Sequence, residues 1–538
     1  EEARRVADLN LGGIGLMKES RRFYPNRELA AHLLGFVGID NKGLGGLESA
    51  YDSQIRGQDG EVLISTDARG EVFSRSERPP TTGSTIELTI DAYLQHVAER
   101  ELHDGVLAHR AAGGSVIVID PRTGEILAMA NEPTFNPNTY RDVPEATRRN
   151  RSVQDLYEPG STFKIVTASA ALDEKVMPID AMIDTAPGYI RIGNSQVDEY
   201  GGKNYHRLSF SDILVRSSNV GAIKIGLKVG TERLSRYVSR FGFGKRVSPD
   251  FPGENPGIVW KPEQWTERAL ASVSMGYQVA VTPLQMVAAF SSVANGGDYV
   301  EPRAVRAVYR DGRRYTVKPR IVRRTITKDT AAAVTTIMEG VVERGTATLA
   351  QIPGYSIAGK TGTASKLIDK RYSRSENNVS FAGFLPSRDP AVAIIVMIDA
   401  PHVGGSTGGV VAAPIFKRIA EATLRHLGVA PTISPAPPVL VARGPEPGPP
   451  SKSISAESPT TLDVIVGEAP DTMPDVRGMS ARDAMRRLAR LGLSPKLQGD
   501  GFVWSQTPDP GAPIRDGAEC RLILGRQPER QATSAAQP

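Results

Sequence analysis

Only one cysteine, Cys520, occurs in 538 residues, so no disulfide can form within the chain. Its apolar neighbours Leu522, Ile523 and Leu524 mark it as a packed small side chain rather than a reactive thiol. No run of 18 or more apolar residues is present, which excludes a membrane-crossing helix within the sequence. The seven histidines, His206 and His402 among them, show no ligand spacing. Neither a metal nor any other cofactor is therefore expected. Aromatic residues make up only 6%, and the net charge of +5 comes from basic residues scattered without aromatic-basic clusters. Nucleic acid is thus not an expected partner.

What is present is an ordinary globular composition, 40% hydrophobic and 23% charged, in a chain too long for one core. Two or three domains are expected. Three short motifs occur in order: Ser161-Thr162-Phe163-Lys164, Ser217-Ser218-Asn219 and Lys360-Thr361-Gly362. Singly each is weak, since such patterns arise by chance on the order of once or twice in a chain this long. Ser375-Glu376-Asn377 is one such stray match, out of order and read as a loop.

The trio makes chemical sense. Pro159-Gly160 is a turn signal before a helix-compatible run, so Ser161 is predicted to open a helix, where first-turn N–H groups favour a negative oxygen. Lys164, three residues on, shares that helix face. It can act as a base only if burial or a neighbouring cation such as Lys360 lowers its pKa. Ser217 and Asn219 are predicted on a turn between helices, Ser217 to relay a proton and Asn219 to hold Lys164 and a substrate carbonyl. Lys360 lies on a predicted edge strand able to pair with an extended peptide. Gly362 permits close approach there, and Thr361 and Thr363 offer hydroxyls to a carboxylate.

With these motifs the chain resembles the class B penicillin-binding proteins, serine D,D-transpeptidases of peptidoglycan synthesis. The resemblance extends to Arg22-Phe23-Tyr24-Pro25, Gly43 to Glu48, Met275-Gly276-Tyr277-Gln278 and Gly409 to Phe416. It implies an α+β penicilloyl-serine transferase fold, in which an antiparallel sheet is split by a helical subdomain. It also implies that Ser161 attacks the D-Ala-D-Ala carbonyl of a stem peptide, releases D-alanine and passes the acyl group to a neighbouring amine. Lys164 would be the base, Ser217 and Asn219 would assist, and Lys360, Thr361 and Thr363 would hold the carboxylate. The N–H groups of Ser161 and Thr363 would form the oxyanion hole, and Tyr277 is a candidate substrate contact.

A β-lactam would acylate Ser161 and remain, because Glu267, followed by Leu270 and Ala271, lacks the asparagine of a deacylating motif. A catalytically silent scaffold or a β-lactam-binding sensor is the alternative. The resemblance further implies a single membrane anchor preceding this sequence, a catalytic domain facing the wall, and a membrane glycan polymerase and division proteins as partners. Sporulation is the other role considered.

The expected organisation is a pedestal at 1–80, a transpeptidase domain at 81–430, a Pro-rich linker at 431–470, a small αβ domain at 471–526 and a tail at 527–538. The segment from Met473-Pro474-Asp475-Val476 through Pro508-Asp509-Pro510-Gly511 is similar to a single PASTA domain. Helical patterns are read from Ser161 to about 300, with strands returning at Lys360. Trp260 and Trp265 are read as packing residues, and Gln154 and Asp155 as candidates for the cleft edge.

Overall fold

The computed structural model describes residues 2–11, 21–69, 72–79, 81–369, 371–433, 472–489, 493, 495–499, 502–513 and 520–525. It divides into two compact units, 1–439 and 440–538. The linker expected at 431–470 lies, apart from 431–433, outside the described residues, as does the tail at 527–538.

The first unit is built on a five-stranded antiparallel sheet. Its strands are β1 (Gly113–Ile119), β2 (Ile126–Glu132), β3 (Ala358–Ile368), β4 (Arg371–Leu385) and β5 (Val392–Asp399), in spatial order β3-β4-β5-β1-β2. β5 and β1 read as near-continuous apolar runs and are buried on both faces. Two-sided burial requires cover on both sides. Helices α1 (Ala92–Ala108) and α8 (Ala412–His426) pack together on one face; α6 (Pro283–Ala294) packs on the other. α1 meets α8 at Gly105, where even a Cβ would come within 2.4 Å of Ile415 Cδ1.

Between β2 and β3 the chain makes the helical layer that carries the site: α2 (Lys164–Asp173), α3 (Phe210–Val215), α4 (Asn219–Val229), α5 (Glu267–Ser274) and α7 (Lys328–Glu343). α7 lies beside β3, which is therefore an edge strand within a covered sheet.

This region is not wholly helical. Short strands at Met182–Asp184, Tyr189–Ile192, Ser195–Asp198 and Arg207–Ser209 form two small sheets, and more strands lie between Asp298 and Arg324. One of them, Arg313–Thr316, is exposed throughout and has no apolar alternation to reveal it. Ser375 and Asn377 are likewise in β4 rather than a loop.

The N-terminal segment is fastened to the catalytic part by polar clasps. Tyr51 donates to Asp250 at 2.5 Å, and the other Asp250 oxygen accepts Ala304 N–H at 2.6 Å. The strand Thr85–Leu88 pairs with Val305–Arg310.

In the second unit, α9 (Ala481–Ala489) accompanies three strands, β6 (Lys496–Gln498), β7 (Phe502–Thr507) and β8 (Arg521–Gly525), with β8 central. Met473, Val476, Ala484, Leu488, Val503, Leu522 and Leu524 form its core, and Cys520 is buried among them.

Candidate active site

Ser161 sits in a 3₁₀ turn, Gly160–Phe163, that runs directly into α2, so the helix proper begins at Lys164. The Thr162 hydroxyl closes the turn on Pro159 O at 2.9 Å. The turn lies tightly against β3. Gly160 has φ +54° and a Cβ there would stand 2.8 Å from Thr363 O, while a Cβ on Gly362 would stand 2.9 Å from Pro159 O. Two missing side chains thus let the serine turn and the Lys-Thr-Gly strand touch. Ser161 is left half-buried, whereas Lys164 is 1% exposed.

Ser217 and Asn219 come from the turn between α3 and α4. Ser217 has φ +60°, a conformation that costs a non-glycine residue about 1–3 kcal/mol and persists only where its surroundings enforce it. Lys164 Nζ donates to Ser217 O at 2.8 Å and to Asn219 Oδ1 at 2.9 Å, with Ser217 Oγ farther off at 3.5 Å. Lys360 Nζ reaches the same residue from β3, donating to Ser217 Oγ at 2.9 Å and Thr361 O at 3.2 Å. Both amines are buried. Burial lowers Lys164 to about 7, against the opposing pull of the Glu199 carboxylate. Lys360 is lowered well below its ordinary value by burial and by the neighbouring Lys164.

The remaining predicted residues are less uniform. Thr361 is 6% exposed and its hydroxyl lies 2.6 Å from Thr346 Oγ1, so it faces inward rather than into the cleft. Thr363 is half-buried and accepts Gly408 N–H at 3.2 Å. Tyr277 is part of a wall: its hydroxyl accepts from Ser365 N–H, and its ring meets Tyr372 edge-on with centroids 5.5 Å apart. Tyr372 in turn donates to Glu158 at 3.1 Å, and Gln278 N–H donates to the same oxygen at 2.7 Å. Burial raises the Glu158 carboxyl.

Glu158, Glu199, Thr346 and Tyr372 escaped the sequence reading, because each enters by a contact across the fold that no local spacing announces. Trp265 is buried and donates to Trp260 O at 3.0 Å, whereas Trp260 is 48% exposed. Asp155 is held by Arg149 at 2.7 Å and Arg151 at 3.3 Å. Gln154 accepts Asn150 N–H at 2.9 Å. Glu267 is exposed at the start of α5. Among the described residues no cluster of acidic, histidine and cysteine side chains could hold a metal.

Two half-buried serines with two buried lysines, on an α+β scaffold of this kind, define a serine acyl-transfer site. Residues 114–421 match the penicillin binding protein transpeptidase domain, 1–88 the penicillin-binding protein dimerisation domain and 471–526 the PASTA domain, so the chain belongs to the class B penicillin-binding proteins with a C-terminal PASTA domain. It is 32% identical to stage V sporulation protein D of Bacillus subtilis over 99% of this chain and 80% of that protein. It is 35% identical to the peptidoglycan D,D-transpeptidase FtsI of Escherichia coli K12 over 79% of this chain and 71% of that protein. Among solved structures, penicillin binding protein 3 of Mycobacterium tuberculosis in its apo form matches with a TM-score of 0.69 at 31% identity, covering 77% of this chain and 93% of that one. The same protein complexed with aztreonam matches with a TM-score of 0.68.

Proposed function

We propose that the protein is a peptidoglycan D,D-transpeptidase that works through an ester on Ser161 and is acylated there by β-lactams. The observation that carries this reading is the Lys164 amine. An uncharged amine has two N–H bonds and one lone pair. Both N–H bonds are spent on Ser217 O and Asn219 Oδ1, which leaves the lone pair as the basic function. A pKa near 7 suits a general base at neutral pH.

In the first half-reaction Lys164 takes the Ser161 proton as Oγ bonds the carbonyl carbon between the terminal D-alanines. The N–H groups of Ser161 and Thr363 hold the oxyanion. The proton passes through Ser217 to the nitrogen of D-alanine as its C–N bond breaks. In the second half the amine of a neighbouring stem attacks the ester carbonyl and loses a proton. Ser161 then leaves as a hydroxyl and an amide crosslink remains. Lys360 supports Ser217; Thr363 and Tyr277 line the substrate side.

The likeness to FtsI supports a role in cell division, with anchorage in the cytoplasmic membrane and a membrane glycan polymerase and division proteins as partners. A fluorescent penicillin should label the wild type stoichiometrically and Ser161→Ala not at all. Mass spectrometry of a donor pentapeptide with an acceptor stem should show loss of D-alanine and a new amide. A folded wild type that takes no label would turn the reading to a silent scaffold.

A further inference from the structure

Glu199 is 2% exposed and lies at the end of the short strand Ser195–Asp198, directly beneath the N-terminus of α4. Its carboxylate takes three donors at this terminus, while the Gly221 N–H goes to the Ser218 hydroxyl oxygen at 2.9 Å. The Ser218 hydroxyl and Val220 N–H donate to Oε1, the latter at 3.3 Å, and Asn219 N–H donates to Oε2 at 2.7 Å. A carboxylate at a helix N-terminus is favoured by the unpaired N–H groups and the helix dipole. Here the helix begins with the Asn219 that accepts from Lys164, and the residue before the cap is the left-handed Ser217. The preceding Asp198 carbonyl accepts Asn219 Nδ2–H at 3.1 Å. That contact turns the Asn219 amide so that its oxygen, not its nitrogen, faces Lys164.

We propose that Glu199 is a positioning residue for acylation: its carboxylate locks the Ser217–Asn219 turn so that both acceptors of the Lys164 amine stand in fixed directions and its lone pair has one direction left. The inference rests on the transpeptidase reading above. Glu199 also has an electrical effect, since its negative charge favours the protonated form of Lys164 and opposes the lowering that burial causes. Of the neighbouring charged and titratable groups, Asp198 precedes it in the chain, Tyr205 is raised by burial and by Glu199 and lowered by Arg216, and Lys360 lies beside Lys164. Removing the carboxylate therefore loosens the turn and lets the Lys164 pKa fall further.

The test is the second-order rate of acylation by a fluorescent penicillin between pH 5.5 and 8.5, with melting temperatures measured alongside. Glu199→Gln should slow acylation about tenfold to a hundredfold at pH 8 and shift the acid limb of the profile to lower pH. Glu199→Asp, which restores the charge, should return the limb to the wild-type position and recover part of the rate. Should Glu199→Gln lose rate with its limb unmoved, or keep the wild-type rate, the proposal fails. If that variant does not fold, Ser218→Ala decides, because it removes one donor and keeps the charge. A slower rate with an unmoved limb then supports the role, and a wild-type rate overturns it. An unlabelled wild type removes the transpeptidase reading and this inference with it.

Discussion

Lys164 and Lys360 reach Ser217 from two different elements, the first turn of α2 and the edge strand β3, and both are stripped of water. Their surroundings differ in one respect. Lys164 has the Glu199 carboxylate within electrostatic reach, whereas the charged neighbour of Lys360 is another lysine. Burial alone would push both amines far from their ordinary pKa. The carboxylate holds one of them near 7, where it can both take and return a proton. What separates a base from a buried structural amine is thus the residue behind it.

That comparison can be broken most severely at Lys164. Lys164→Met should lower the penicillin acylation rate by about 10²–10⁴-fold, the usual worth of a positioned general base, as read by stopped-flow labelling. Lys360→Met should slow acylation less and leave the acid limb in place, because burial and Glu199, not Lys360, set the position of the Lys164 pKa.

Stability should move the opposite way. A lysine whose folded pKa is lowered binds fewer protons folded than unfolded, so it destabilises the fold wherever the unfolded lysine is charged. For Lys164 that penalty should fade as pH rises from about 7 toward the ordinary lysine pKa. The wild-type melting temperature should climb over that interval, and Lys164→Met should climb less and start higher. A flat wild-type curve would contradict the burial of an uncharged amine.

Ser217→Gly offers a smaller effect of mixed sign. Glycine accepts φ +60° without strain but widens the unfolded ensemble, so stability should change by no more than about 2 kcal/mol while acylation falls with the lost hydroxyl. Least of all should follow from removing residues 440–538. The site residues all lie in the first unit, so the penicillin acylation rate of the shortened chain should stay within about twofold of the full chain.

Much of the site was legible because its motifs are local. The i,i+3 spacing of Ser161 and Lys164 and the i,i+2 spacing of Ser217 and Asn219 are set by one helix start and one turn each. The edge position of β3 followed from the glycines and alternation around Lys360. Glu199 was illegible for a physical reason: it acts 20 residues away on Asn219, through a contact made only after Ser195–Asp198 is placed under α4. The Glu158–Tyr372 link spans 214 residues and has no periodicity to betray it. The strands between Met182 and Ser209 were missed because they are short and mostly exposed or half-exposed, so no apolar face repeats. The inward turn of Thr361 was missed because its partner, Thr346, comes from the turn that follows α7.

The absent side chains at Gly160 and Gly362 set the terms on which this cleft can change over time. A single added methyl at either place would act as a wedge between nucleophile and strand, so a lineage under pressure from an inhibitor has no room to vary there without losing its own reaction. The freedom lies in the wall formed by Tyr277 and Tyr372, where bulk can be exchanged without parting the seam.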